Sequence, residues 1–151
     1  MENKKSPQIN LLNNFGKTEV QKKSKSILIT DVEGIKVDFV NYQYQLIENP
    51  LEIDGIRMLS KKDIAAMKLN AIAGRGSKKV FIDLFFLLDE FSLEEMLDFY
   101  LKKYSDGSEF IVLKSLSYFE EANSQPQPLM YKNFNWETCK QKIIEEVVKL
   151  E

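Results

Sequence analysis

At 151 residues the chain is the size of one domain, and 44% hydrophobic residues suffice for a real core. A formal net charge of −2 excludes a basic footprint over the whole surface. With no histidine and a single cysteine, Cys139, the chain has no internal disulfide, no Ser-His or Cys-His nucleophile and a poor donor set for zinc.

Residues 1–8 are polar, with no apolar region resembling a signal peptide. No apolar run approaches the roughly 18 to 20 residues of a membrane span. The expectation is a soluble cytoplasmic protein without a membrane partner. Ile9 to Phe15 is a short apolar piece rich in asparagine, and its period favours no element. Ser26–Thr30 and Ile35–Val40 read as strands flanking a turn, Asp31-Val32-Glu33-Gly34, which predicts a β-hairpin. Along the second strand Ile35, Val37 and Phe39 share one face, while Lys36, Asp38 and Val40 share the other. Tyr42 to Pro50 is a connection, and Ile56–Leu59 can add a short strand.

The stretch Leu59 to Leu88 reads as two helices joined by a basic loop. Ser60 with Asp63 three residues later is a helix-start signature. At about 100° per residue, Ile64, Ala71 and Ile72 share a face with Lys68 in its middle. The first helix stops at Gly74-Arg75-Gly76. Ser77 can cap the next, whose first-turn cations Lys78 and Lys79 oppose the helix dipole. From Val80 to Leu88 that helix is apolar nearly all round, with one polar stripe of Lys79, Asp83 and Glu90. Ser92 with Glu95 opens a further helix to about Tyr104. Phe110–Glu121 is helical by the spacing of Ile111, Leu113, Leu116 and Phe119. Two prolines keep Asn123–Pro128 a loop, and Asn135 caps a last helix from Trp136 to Leu150. The predicted fold is α+β: a small β region over residues 1–59, then a helical region over 60–151, in a single compact unit. So small a sheet looks incomplete.

Charge is uneven, with basic residues at Lys22–Lys25 and Lys61–Lys79, so a local phosphate site stays open. Asp38 is either a solvent-facing strand residue or a metal-binding carboxylate, since magnesium takes hard oxygen ligands together with substrate phosphates. Lys68 either snorkels past its apolar stem or meets a triphosphate. Arg75, Lys78 and Lys79 stand near it at a helix junction. Lys79 and Asp83, four apart, form either an intrahelical pair worth about 0.2–0.5 kcal/mol or part of a site. Tyr42 and Tyr44 can stack a base or pack on the helices.

These segments carry a resemblance. IKVDFV, EIDGIRMLSKKDIAAMKLNAIAGRGSKKVFIDLFFLL and FSLEEMLDFYLKKY, in that order, closely resemble the AbiEii/AbiGii-type nucleotidyltransferase family, over about residues 25 to 150. Its members include abortive-infection and toxin–antitoxin toxins. The resemblance implies an incomplete polymerase-β-like nucleotidyltransferase sheet of short antiparallel strands followed by a C-terminal helical array. It implies transfer of a nucleoside monophosphate from an NTP, with Mg2+, to an acceptor such as RNA. It also implies catalytic roles for Asp38, Lys68 and Asp83, with Asp38 as metal ligand and Lys68, Arg75 and Lys79 around the nucleotide.

Two departures follow. The family begins with a Gly-Gly-Ser/Thr turn leading to an Asp-x-Asp pair, and this sequence contains neither Gly-Gly nor Asp-x-Asp. Asp31-Val32-Glu33 has similar letters but sits in a turn. In the family's KD-x-x-D pattern the first acidic position is Val80. The chain thus looks like the C-terminal portion of such an enzyme, truncated and inactive alone. The alternative expectation is a non-catalytic interaction module that binds an antitoxin, a complementing chain or a second copy through an open sheet edge.

Overall fold

The computed structural model describes residues 7–150. It divides after Gln43 into two compact units, Met1–Gln43 and Tyr44–Glu151. The boundary therefore falls earlier than the expected division at residue 59, and the chain is not one compact unit. Of the expected polar N-terminus, residues 1–6 lie outside the described part.

In the first unit α1 (Pro7–Leu12) opens on a proline, whose missing N–H costs nothing at a helix start. It buries Ile9 and Leu12, three apart on one face. Then come β1 (Thr18–Lys23), β2 (Ile27–Val32) and β3 (Ile35–Val40), a three-stranded antiparallel sheet in the order β1-β2-β3. The expected hairpin is present, with a tighter turn. Val32 pairs with Ile35, leaving Glu33 and Gly34 alone at the tip with φ of 51° and 83°. Positive φ at both positions matches the right-handed twist of the strands. The Asp31 carboxylate accepts the Gly34 N–H at 2.8 Å and locks the loop. β2 buries Leu28, Thr30 and Val32, opposite Phe39, Val37 and Ile35 of β3. Thr30 satisfies its buried hydroxyl by donating to the Val37 carbonyl at 2.7 Å. β1, with Gln21, Lys22 and Lys23, lacks an alternating apolar pattern and is legible only once it pairs with β2.

The second unit begins with a hairpin, β4 (Leu51–Ile53) and β5 (Ile56–Met58), turning at Asp54-Gly55. Six helices follow: α2 (Lys61–Arg75), α3 (Lys78–Leu87), α4 (Leu93–Lys103), α5 (Glu109–Leu116), α6 (Glu120–Asn123) and α7 (Trp136–Val148). The architecture is α+β, a small antiparallel sheet followed by a helical C-terminal region. Around α2 pack α3, α4 and α5. Its buried face is Ala65, Ala66, Leu69 and Ile72, rotated from the expected stripe, so Lys68 stands at the edge of the core face and not in its centre. Alanines at 65 and 66 let neighbours approach closely. Phe81 and Leu84 of α3, Met96 and Tyr100 of α4, Val112 and Leu116 of α5, and Cys139 and Ile143 of α7 complete one core. Full burial of each large side chain contributes about 1.5–3 kcal/mol.

Three end signals read from sequence are realised. Ser60 accepts the Asp63 N–H, Ser92 and Glu95 form a reciprocal capping box, and Asn135 accepts the Thr138 N–H. Ser77 precedes α3 but makes no side-chain cap. The single helix expected over Phe110–Glu121 is two, because the chain leaves helical geometry at Ser117 and swings Phe119 into the core. Its ring centre lies 4.8 Å from that of Phe81 and 5.9 Å from that of Trp136. Val112, outside the expected stripe, is fully buried, whereas Ile111 is exposed.

Cys139 is buried in this core, its thiol 3.7 Å from the Phe81 carbonyl. Burial pushes its pKa up to about 12, against a smaller opposing pull from the Lys142 and Lys140 charges. Thiolate at pH 8 is then roughly a thousandfold scarcer than in an exposed cysteine. Iodoacetamide should leave the native protein unmodified and alkylate one site in denaturant, as intact-mass spectrometry will read.

Candidate functional site

Of the five residues to which the resemblance gives a role, Asp38 lies in the first unit and Lys68, Arg75, Lys79 and Asp83 in the second. Lys68 and Asp83 meet. α2 and α3 pack against each other across the Gly74-Arg75-Gly76 elbow, and Lys68 Nζ donates to Asp83 Oδ2 at 2.5 Å. The elbow is tight, since a Cβ at Gly76 would stand 2.8 Å from the Phe81 ring. Asp83 therefore pairs with Lys68 of the neighbouring helix, and the intrahelical pair with Lys79 is not formed. The side chains of Lys68 and Asp83 are 30% and 46% exposed, so water and solutes reach the pair. At that exposure its net contribution to stability is about 1 kcal/mol or less. An ammonium carries three donors, and Asp83 engages one of them.

Arg75, seven residues after Lys68, lies on the same stripe of α2, about 10 Å along the axis. Its Nε donates to Glu121 Oε2 at 3.1 Å, and its side chain is 81% exposed. Lys79 is exposed, one turn before Asp83 on α3. Along the α2–α3 pair the three cations Lys68, Arg75 and Lys79 thus stand with two carboxylates, Asp83 at Lys68 and Glu121 at Arg75. The cations offer point charges and one guanidinium fork to a polyanion.

Lys78 has a different task. It is buried at the start of α3, where its Nζ donates to the Gln125 carbonyl at 2.5 Å and lies 5.2 Å from the Trp136 ring centre. Its N–H donates to the Gln125 side chain at 2.9 Å. The 123–128 loop thereby docks on α3, and its carbonyls offset the unfavourable position of a cation at a helix N-terminus. Tyr44 packs edge-on against Tyr104 at 4.7 Å, which takes up the packing option open to it from sequence.

Asp38 stands on the exposed face of β3 and pairs with Lys36 Nζ at 3.1 Å. No group of three or more Asp, Glu, Cys or His side chains suited to a metal gathers among the described residues. Two-metal phosphoryl transfer needs carboxylates that share the ions. One aspartate already paired with a lysine does not fit that requirement, and the donor set among the described residues does not suit the implied Mg2+.

The residues that sequence spacing does not reveal are Asp63 and Lys103. Both side chains are fully buried, and Lys103 Nζ donates to Asp63 Oδ1 at 2.6 Å. The same carboxylate accepts from the Ser60 hydroxyl at 2.6 Å and from the N–H groups of Ile47 and Glu48 at 2.9 and 3.3 Å. Lys103 also donates to the Gln45 carbonyl at 2.8 Å. Asp63 reads as a first-turn acid and Lys103 as a last-turn base, each ordinary in its own helix. Only the packing of α2 on α4 joins them.

A stretch of 106 residues is 45% identical to an uncharacterized protein of Aquifex aeolicus, covering 68% of this chain and 52% of that relative. The chain thus spans about half the length of the relative it matches. No family model and no solved structure matches it.

Burial would raise the Asp63 pKa, but the bonds from Lys103, Ser60, Ile47 and Glu48 outweigh it and hold it near 2, below the ordinary 3.8. A depressed carboxylate contributes stability that is present above its unfolded pKa and lost as pH falls through the folded one. Chemical denaturation should therefore show about 2 kcal/mol lost between pH 5 and pH 2 on this account. Asp63→Asn should flatten that limb. At pH 7, Lys103→Met should cost about 3–5 kcal/mol by stranding the carboxylate, and Asp63→Leu with Lys103→Met should recover most of it.

Proposed function

We propose that this chain is a nucleotidyltransferase-like protein of the AbiEii type, whose own residues supply the phosphate-binding side of a site that transfers a nucleoside monophosphate from an NTP to an acceptor such as RNA. The observation that carries this reading is the half-exposed Lys68, held by Asp83 of the adjoining helix inside the segments that resemble the family. At the edge of the core face formed by Ala65, Leu69 and Ile72, packing alone has no need for that charge. Lys68 with Arg75 and Lys79 would meet the triphosphate oxygens, and Asp83 would orient Lys68. Asp38 is the carboxylate that the resemblance assigns to the metal. With no Asp-x-Asp pair to accompany it, the chain alone would bind without transferring, because the developing charge would lack its metal cluster.

One observation favours the second reading, a non-catalytic interaction module. Leu51, Ile53, Ile56 and Met58 form cross-strand pairs on one face of the β4–β5 hairpin, and all four are exposed. An apolar face of that kind suits a protein partner such as an antitoxin. A toxin system would place the gene beside that of a DNA-binding antitoxin.

Calorimetric titration with Mg2+-NTP should give saturable binding that Lys68→Ala weakens about tenfold, the loss of one charge-assisted contact. A labelled-NTP assay with RNA should show no transfer by the chain alone. Absence of binding to the intact protein overturns the reading in favour of the interaction module, and robust transfer abolished by Asp38→Asn overturns the claim of inactivity.

A further inference from the structure

The sheet of the first unit ends in two unlike edges. β1 is irregular, with its register shifting between Val20 and Lys22, and it carries Lys22 and Lys23. Bulges and lysines are the devices that keep an edge from pairing. β3 has no bulge, and its one lysine, Lys36, is balanced by Asp38 two residues on along the same face. Its six residues pair with β2 in unbroken register, it contains no proline, and among the described residues no strand neighbours its other side.

The hydrogen-bond phase of β3 fixes which groups are on offer. The Asn41 N–H donates to the Ser26 carbonyl at 2.8 Å. In an antiparallel ladder bonded and non-bonded pairs alternate, so Phe39, Val37 and Ile35 turn their backbone groups toward β2. Lys36, Asp38 and Val40 turn theirs outward. A strand added antiparallel must therefore bond at 36, 38 and 40.

The sequence of β3, Ile-Lys-Val-Asp-Phe-Val, is complementary to itself in that phase. With a two-fold axis at Val37, Lys36 of one copy faces Asp38 of the other and Asp38 faces Lys36, both as hydrogen-bonded pairs. Ile35 then faces Phe39 across the axis on the other face. An axis at Lys36 or at Asp38 sets like charges opposite each other, which is destabilising. Charge and hydrogen-bond phase thus select the same register.

We propose that β3 is a self-association edge: two copies of this chain pair antiparallel through Lys36, Val37 and Asp38 into one continuous six-stranded sheet. The interface is isologous, as a two-fold requires. Lys36 and Asp38, which pair at 3.1 Å within each strand, become a ring of four alternating charges. The inference is independent of nucleotide binding.

Sedimentation velocity from low micromolar to several hundred micromolar protein tests it. The wild type should show a concentration-dependent monomer–dimer equilibrium. Lys36→Asp and Asp38→Lys should each weaken it at least about tenfold, because both symmetric pairs turn repulsive. Mixing those two variants should restore a heterodimer in which every facing pair is opposite in charge, a recovery that a merely misfolded variant cannot give. Asp38→Pro removes an outward N–H without touching the β2 ladder, and it should abolish dimerisation with the circular dichroism of the sheet retained. A wild type that stays monomeric throughout overturns the proposal. So does a dimer indifferent to the single reversals, or a mixture of the two variants that fails to pair.

Discussion

The helical unit depends on a carboxylate that has left water entirely. Asp63 is placed by Ser60 in the first turn of α2, yet the cap is the lesser part of its work. Its two oxygens collect the Lys103 ammonium, the Ser60 hydroxyl and the N–H groups of Ile47 and Glu48. Four donors on one buried anion compensate the desolvation that an isolated charge could not survive. They also tie three separated stretches to one point: the connection before the β4–β5 hairpin, the start of α2 and the end of α4. Lys103 reaches back to the Gln45 carbonyl and closes the knot. A hydrophobic pair of equal volume could fill this space, but it would not fix the path of residues 45–48.

With α2 and α4 set in this way, the remaining geometry follows from packing. Ala65 and Ala66 admit the neighbouring helices. The Gly74-Arg75-Gly76 elbow folds α3 back along α2 with Phe81 directly beneath Gly76. That return brings Asp83 alongside Lys68 and leaves the pair at the rim of the core, where solvent reaches it. The two lysine–aspartate pairs on α2 thus differ in kind. The one at Asp63 is sealed and structural, while the one at Lys68 is open to solvent. Charge placement alone does not separate them. Burial does.

Much of this was legible in the chain. The helix starts at Ser60, Ser92 and Asn135 are local chemistry, because a side-chain oxygen three residues ahead of an N–H needs no tertiary help. The hairpin at Glu33-Gly34 is likewise written in alternation and a glycine. Lys68 stood out as a charge on the apolar face expected of α2, and Asp83 as one in the nearly apolar α3. What periodicity misjudged were cases decided by a partner: the rotated core face of α2, the break before Phe119, the strand Thr18–Lys23 that exists because β2 pairs with it, and the hairpin strand Leu51–Ile53.

By itself, then, the sequence determined the α+β class, the starts of three helices, one hairpin and the residues able to carry charge on helical faces, since these depend on spacing within a few turns. The tertiary structure decided the partners. Asp83 pairs with Lys68 and not Lys79, Asp63 with Lys103 at a separation of 40 residues, Lys78 with the carbonyls of a proline-flanked loop, and Asp38 with its own strand neighbour Lys36. The reason is that an ionic contact needs two groups within about 4 Å, a distance set by how helices and strands pack rather than by where their residues fall along the chain.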